Sequence, residues 1–361
     1  MSLFTRLLLV PALALGCMLP VCAQQTRILT AEKHNEYGLV YSLPVTALSV
    51  EVTARRTVRK AGPFYQYAKK FVGTDKVIKS DSEEWEIISV NVSPYGIPDR
   101  DNQYLMQLKQ GATTYIGVDD DGMLLSINKE PSSYSRPEGR DGIVEASEKF
   151  NENEFLKYVN EDFIASQSSA KKAQMLAENL MEIRDSKISL TRGTADTMPT
   201  DGRQLELMLQ SLEHQETAIM QAFTGYIETE TVSRTFTYLP EEDGRTVLFR
   251  MSDFAGFVES DDYSGAPVYL SIEMVSEGSL PVDAKGEEKK FPKDGVAYCI
   301  PGTANVKLSL SGKTLWAKEM EFAQFGVIFG LNPTLFSAKK DRSFAVFNPV
   351  TGAIQSIGNE E

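Results

Sequence analysis

Along this chain the spacing of apolar positions changes three times, and each change predicts a different kind of element. From Tyr37 to Ile127 the spacing is that of strands: Leu48, Val50 and Val52 alternate with Ser49, Glu51 and Thr53, the period of two that marks a half-buried strand. Gly62-Pro63 then opens a short stretch in which Phe64, Tyr67, Ala68 and Phe71 recur at helical spacing. Strand patterns resume over Trp85–Val92 and Tyr104–Leu108. Thr113–Val118 and Met123–Ile127 read as the two arms of a hairpin around Asp119-Asp120-Asp121-Gly122, with Asp-Gly as the turn. Lys129–Gly142 carries Pro131, Pro137, Gly139 and Gly142 and reads as a linker. Beyond it the period becomes helical. Ala173, Leu176, Ala177, Leu180 and Ile183 line one face of a helix from Ser168 to Arg184. After the breaks at Gly193 and Pro199, Asp201-Gly202-Arg203-Gln204 has the form of a capping box. Leu205, Met208, Leu209, Leu212, Ile219 and Phe223 form the stripe of a second helix, which stops at Gly225. The connection between the two helices is short and polar, which suits an antiparallel pair. From Tyr226 onward, short β-rich runs (Thr229–Tyr238, Thr246–Met251, Pro267–Val275, Val306–Leu310, Val327–Phe329, Phe344–Phe347) are separated by Gly, Pro, Asp and Lys clusters, the spacing of a sandwich or barrel.

These patterns predict an α+β chain, mainly β, in which two β-sandwich-like modules flank a central antiparallel helical hairpin. The expected boundaries are a β-rich domain over 24–128, a linker over 129–148, a helical segment over 149–225 and a second β-rich domain over 226–361. An internal echo gives the two modules a common element. Gly38-Leu39-Val40-Tyr41-Ser42-Leu43-Pro44-Val45-Thr46-Ala47 reappears as Gly295-Val296-Ala297-Tyr298-Cys299-Ile300-Pro301-Gly302-Thr303-Ala304, with Gly, Tyr, Pro, Thr and Ala at the same offsets. Two copies suggest paired β modules rather than a solenoid. The apolar phase slips after the motif, so one copy carries a bulge or the likeness is local.

Composition and charge narrow the function classes. Of 361 residues, 37 are Lys or Arg and 50 are Asp or Glu, giving a net charge of −13. Duplex recognition rests on basic side chains neutralising phosphates, so this balance argues against a nucleic-acid partner. Met1–Ala23 has a basic start ending at Arg6, an apolar run Leu7–Leu15 and a small-residue exit at Val21-Cys22-Ala23, the form of a secretory signal peptide. Residues 1–23 are therefore expected to be removed, leaving no transmembrane segment. Lipoprotein anchoring through Cys17 is the weaker alternative, because Ala14-Leu15 is a poor version of the usual box before a lipidated Cys. Cleavage after Ala23 would leave Cys299 without a disulfide partner; its apolar neighbours Tyr298 and Ile300 suit a buried structural thiol.

The chemistry-bearing residues are sparse. Two His, His34 and His214, cannot build a three-His zinc site. The Asp119–Asp121 run lacks the bidentate Glu of a calcium loop. His214 lies beside Glu213 and Glu216 on the polar face of the second helix, where a solvated residue is the simpler reading than a base. A nucleophile elbow, P-loop or dinucleotide fingerprint is not seen. No catalytic residue, metal site or cofactor is assigned.

Several segments resemble one family. Tyr37–Pro44, Ala61-Gly62-Pro63-Phe64-Tyr65-Gln66-Tyr67-Ala68, Ile183-Arg184-Asp185-Ser186, Gly193-Thr194-Ala195-Asp196, Asp201-Gly202, Phe223-Thr224-Gly225 and Gln324-Phe325-Gly326-Val327 are similar to those of exported Bacteroidales proteins in domain of unknown function family 4831. The resemblance spans nearly the whole chain after the leader. It implies a periplasmic or cell-envelope setting and brings no activity. Where these motifs are densest, Tyr41, Tyr65, Tyr67, Arg184 and Asp196 are candidate binding residues. The functional expectation is an exported, non-enzymatic binding or scaffold module for an envelope protein or a glycan. The alternative is a glycan hydrolase whose two carboxylates are hidden among the many acids.

Overall fold

In the computed structural model, residues 38–107, 115–131, 133–336 and 343–359 are described. The expected leader, Cys17 and His34 lie outside them. The chain is α+β and mainly β, with antiparallel sheets and a helical hairpin.

The first sheet is built on β1 (Gly38–Lys60), with β2 (Ser82–Gln107) along one side. Leu48, Val50 and Val52 are fully buried on one face of β1, as their alternation predicts. β2 is one long strand where the sequence suggests two, although Pro94, Gly96 and Pro98 lie within it. Proline removes a ladder donor, and β2 tolerates it because it is the sheet's edge strand. The Phe64–Phe71 stretch forms a 3-10 turn, Tyr65–Tyr67, followed by α1 (Ala68–Phe71). β3 (Ile116–Val118) and β4 (Leu124–Ile127) are the expected hairpin. Its turn is held by the Asp119 carboxylate, which accepts from the N–H groups of Asp121 (3.0 Å) and Met123 (2.8 Å). The charge of Asp121 is met by Arg136 at 2.6 Å.

After β5 (Gly142–Ala146) come α2 (Glu161–Ala165), α3 (Ser169–Arg192) and α4 (Gly202–Thr224). Asp201 caps α4 by accepting from Gln204 N–H at 2.7 Å. Gln204 reaches back to Thr200 N–H at 3.2 Å, one residue short of the cap itself. α3 runs beyond Arg184 until Gly193 takes a left-handed φ of 71° and ends it. The stripe predicted for α3 is buried throughout. In α4 the stripe is buried only near its C-terminal end, at Ala218, Ile219, Ala222 and Phe223, while Met208 is exposed. The deep end of the hairpin is closed by Phe64, whose ring lies 6.0 Å from Phe155, 6.1 Å from Phe163 and 6.0 Å from Phe223.

The remaining strands are β6 (Tyr226–Tyr238), β7 (Gly244–Ser252), β8 (Gly256–Val258), β9 (Ala266–Ser276), β10 (Val296–Leu310), β11 (Lys313–Leu331), β12 (Ser343–Phe347) and β13 (Ile354–Asn359). The sheet orders are β2-β1-β6-β5, β11-β10-β9-β7-β8 and β13-β12-β4-β3. The two β-rich stretches thus share sheets instead of standing as separate sandwiches. β6 pairs with β1 from Leu48↔Tyr238 to Lys60↔Tyr226, and β12 pairs with β4. The reason is burial. The apolar face of β1 lies on Phe249, Leu270, Val306 and Phe322 of the second sheet in one core, and neither stretch alone covers that face. The helical hairpin is an excursion between β5 and β6, neighbours in a single sheet.

The internal echo occupies matching places. Both copies start the first strand of a long antiparallel hairpin, and the register breaks at Ser42/Pro44 in β1 and at Ile300/Gly302 in β10. At the same motif offset, Ser42 N–H donates to Gly122 O (2.9 Å) and Cys299 N–H to Gly352 O (3.1 Å). Both acceptors are turn glycines with positive φ, 82° and 70°. The Gly-x-x-Tyr-x-x-Pro spacing shared by the two segments therefore marks one bonding pattern used twice.

Candidate functional site

The five candidate residues do not converge. Tyr41 is 2% exposed in β1, and its hydroxyl accepts from Ala297 N–H at 2.8 Å while its ring stacks on Tyr104. Burial raises its pKa far above the usual phenol value, so it stays protonated and ties the two echo strands together. Tyr65 and Tyr67 sit on the turn before α1, with Tyr67 against the helical core. Arg184 spans the hairpin to Glu216 at 2.7 Å, where Lys187 also binds at 2.9 Å. Asp196 is exposed in the connection between α3 and α4. His214 meets the Tyr158 hydroxyl at 3.1 Å through Nδ1. The Cys299 thiol is buried, and that burial pushes its pKa from 9.0 up to about 12, which disfavours the nucleophilic thiolate at neutral pH.

A different place gathers polar and aromatic groups. At the junction of the first sheet with the helices lies a cavity of about 240 Å³. None of the five candidates lines it. Its position follows from two glycines. A Cβ on Gly62 would fall 2.5 Å from Ala222 O and 2.7 Å from Gln221 O, so only glycine lets the chain leaving β1 pass so close to the last turn of α4. Gly225 ends α4 with φ 79°, and a Cβ there would collide with Lys60 O. Phe64 N–H then donates to Ala222 O at 2.9 Å. Two of the segments behind the family resemblance, Ala61–Ala68 and Phe223–Gly225, meet here.

Around this junction the charges are ordered. Lys60 Nζ lies 2.8 Å from Asp81 Oδ2, and Ala61 N–H donates to Asp81 Oδ1 at 2.9 Å. Lys60 first, and then the Ala61 amide, hold the Asp81 carboxyl below its usual range, and Asp81 raises the pKa of Lys60 in turn. Phe150 and Tyr226 form an aromatic wall, with ring centroids 4.4 Å apart. Burial, then Glu228 and Glu152, raise the pKa of Tyr226. Glu228 is engaged by Phe150 N–H at 2.8 Å. Gln221 also lines the cavity, while its Oε1 is buried and finds no hydrogen-bond donor among the described residues. A buried acceptor left without a donor costs about 1–3 kcal/mol. The arrangement offers ring surface beside charged groups of both signs, Lys60 with Asp81 and Glu152.

Pattern reading missed Lys60, Asp81, Phe150, Glu152, Gln221 and Tyr226. They come from five separate stretches, and the β1–β6 register that sets Lys60 opposite Tyr226 has no local signature. The traces in the sequence are the two glycine breaks, Gly62 and Gly225.

The molecule is thus a mainly β α+β protein with a small polar-aromatic cavity beneath a helical hairpin, and no helix among the described residues is long and apolar enough to cross a membrane. The chain belongs to the family of domain of unknown function 4831 (DUF4831), whose model matches residues 37–355. No curated protein and no solved structure matches it.

Proposed function

We propose that this chain is an exported, non-enzymatic binding module of the cell envelope, and that the cavity beneath the hairpin is its ligand site. The observation that carries the reading is the cavity itself, where Lys60, Asp81, Glu152 and the Phe150 and Tyr226 rings come together at the junction of sheet and helices. The signal-peptide pattern of Met1–Ala23 and the resemblance to exported Bacteroidales proteins support the envelope setting.

The hydrolase alternative asks for a carboxylic acid that keeps its proton near neutral pH. Asp81 lines the cavity but is held ionised by Lys60 and the Ala61 amide, which favours a structural role for it. The test combines export and binding. Intact mass of protein recovered from the envelope fraction of the native host is expected to show a chain starting at Gln24; a lipid-modified Cys17 would replace the free-periplasmic reading. A fragment screen followed by amide NMR is expected to move the signals of Gly62, Gln221 and Tyr226. Glycan turnover that is lost on Glu152→Gln would overturn the non-enzymatic reading.

A further inference from the structure

The first sheet ends in two different edges. β2 carries Pro94 and Pro98, which have no N–H to donate to a further strand. The other edge, β5, has no such guard: Arg140-Asp141-Gly142-Ile143-Val144-Glu145-Ala146-Ser147 contains neither Pro nor Lys. This stretch is held to β6 from end to end, with Arg140 N–H on Thr235 Oγ1 (3.0 Å) and Ser147 N–H on Thr229 O (2.8 Å). Its outer side is bare. Every residue from Gly142 to Ala146 is exposed, Ile143 to 65% and Val144 to 63%, and among the described residues no strand pairs there. A strand edge in this state is a template for a further strand. We propose that β5 pairs with β5 of a second copy of this chain, antiparallel about a twofold axis, so that two four-stranded sheets become one continuous sheet.

Charge is what selects a second copy. Arg140 and Glu148 are both exposed and stand four residues to either side of Val144. Antiparallel pairing centred on Val144 sets Arg140 of each copy opposite Glu148 of the other and packs Val144 on its own counterpart. No like charges then face each other between residues 138 and 150. The slip that moves Arg140 onto Lys149 also moves Asp141 onto Glu148, so repulsion opposes it. The β5–β6 register shifts between Ile143 and Glu145; the one irregular residue, Val144, thus falls on the axis and the stretches on either side of it are regular. An unrelated extended segment would offer the backbone bonds without these charge pairs. Pairing consumes the free edge of both copies, so assembly closes at two. One strand pair is a small interface, which makes the dimer reversible. The proposal rests on β5 alone and is independent of the cavity.

Sedimentation velocity on a chain of residues 24–361, run over a wide range of concentration, is expected to show a reversible monomer–dimer equilibrium. Arg140→Glu and Glu148→Arg should each weaken the dimer about tenfold, since each places like charges opposite twice. The two reversals combined in one chain should restore it. Val144→Cys should form a disulfide between copies under mild oxidation, because residues facing across an antiparallel pair lie within disulfide reach. The three positions are exposed, so the melting temperature of the monomer should match that of the parent in every variant. A chain that stays monomeric at all concentrations and gives no Val144→Cys cross-link overturns the proposal. A dimer that ignores both charge reversals, or that the double reversal fails to restore, places the interface elsewhere and overturns it as well.

Discussion

Thr46, Gln324, Gly62 and Cys299 show how single atoms hold this molecule together. Thr46 is fully buried; its hydroxyl donates to Val350 O and accepts from Ala323 N–H, both at 3.0 Å. Gln324 closes the same junction, accepting from Thr46 N–H (2.9 Å) and donating to Thr46 O (2.9 Å) and Pro240 O (2.8 Å). Thr46→Val keeps the shape and strands an N–H and a carbonyl, so denaturant unfolding should show a loss of about 1–3 kcal/mol. Gly62→Ala forces a Cβ onto the Ala222 and Gln221 carbonyls. It should cost about 2 kcal/mol or more and disturb the cavity amides in the absence of ligand. Cys299 gives a pH signature. Its folded pKa of about 12 stands above the ordinary 9.0, so the neutral thiol favours the folded state. That contribution is complete below pH 9 and declines between pH 9 and 12, by at most about 1.4 kcal/mol per pH unit. Thiol-reactive dye at pH 8 should reach Cys299 of a folded chain of residues 24–361 only through unfolding.

The helical hairpin is the element whose behaviour differs most along its length. Near the sheet, α3 and α4 bury Leu180, Ile183, Ile219 and Phe223 against Phe64, Phe155 and Phe163. Toward the connection, Leu207 and Met208 are exposed, because nothing but the other helix lies alongside. Amide exchange should therefore be slow at 218–223 and fast at 203–210. Midway, Glu216 holds Arg184 and Lys187, and the Arg184 bond is the main reason its carboxyl titrates below 4.5. The resulting stabilisation is present above pH 4.5 and is lost as the pH falls through the lowered value. Because all three groups are partly solvated, Glu216→Gln should cost under about 1 kcal/mol at pH 7, with the difference from the parent vanishing in acid. The helices themselves were legible. The α3 stripe, the Asp201 cap and the Gly193 stop are local signals, each acting within one or two turns. The exposure of Met208 was not, since an apolar stripe states which face can be buried and not whether a neighbour arrives to cover it.

For the whole molecule, the decisive feature is that the strands before and after the hairpin complete each other's sheets. β1 lies between β2 and β6, and its inner face rests on β7, β9, β10 and β11. A fragment of residues 38–131 should therefore lack a cooperative thermal transition, whereas a chain of residues 24–361 should unfold in one. The mainly β class, the positions of most strands and the Asp119–Gly122 turn follow from spacing alone. So does the likeness between the segments around Tyr41 and Tyr298, because a repeated side-chain pattern meets a repeated backbone path. The partners of each strand do not follow, since a period of two records which face is apolar and leaves open what will lie against it. The cavity was hidden for the same reason: Lys60, Asp81, Phe150, Glu152, Gln221 and Tyr226 are ordinary residues in five stretches until the β1–β6 register and the ends of the helices bring them together. Local periodicity and capping are short-range interactions, so the sequence by itself determined the elements. The pairing of β1 with β6 and the charges of the cavity depend on contacts between residues in different elements, 21 positions apart for Lys60 and Asp81 and 166 for Lys60 and Tyr226, and only the tertiary structure decided those.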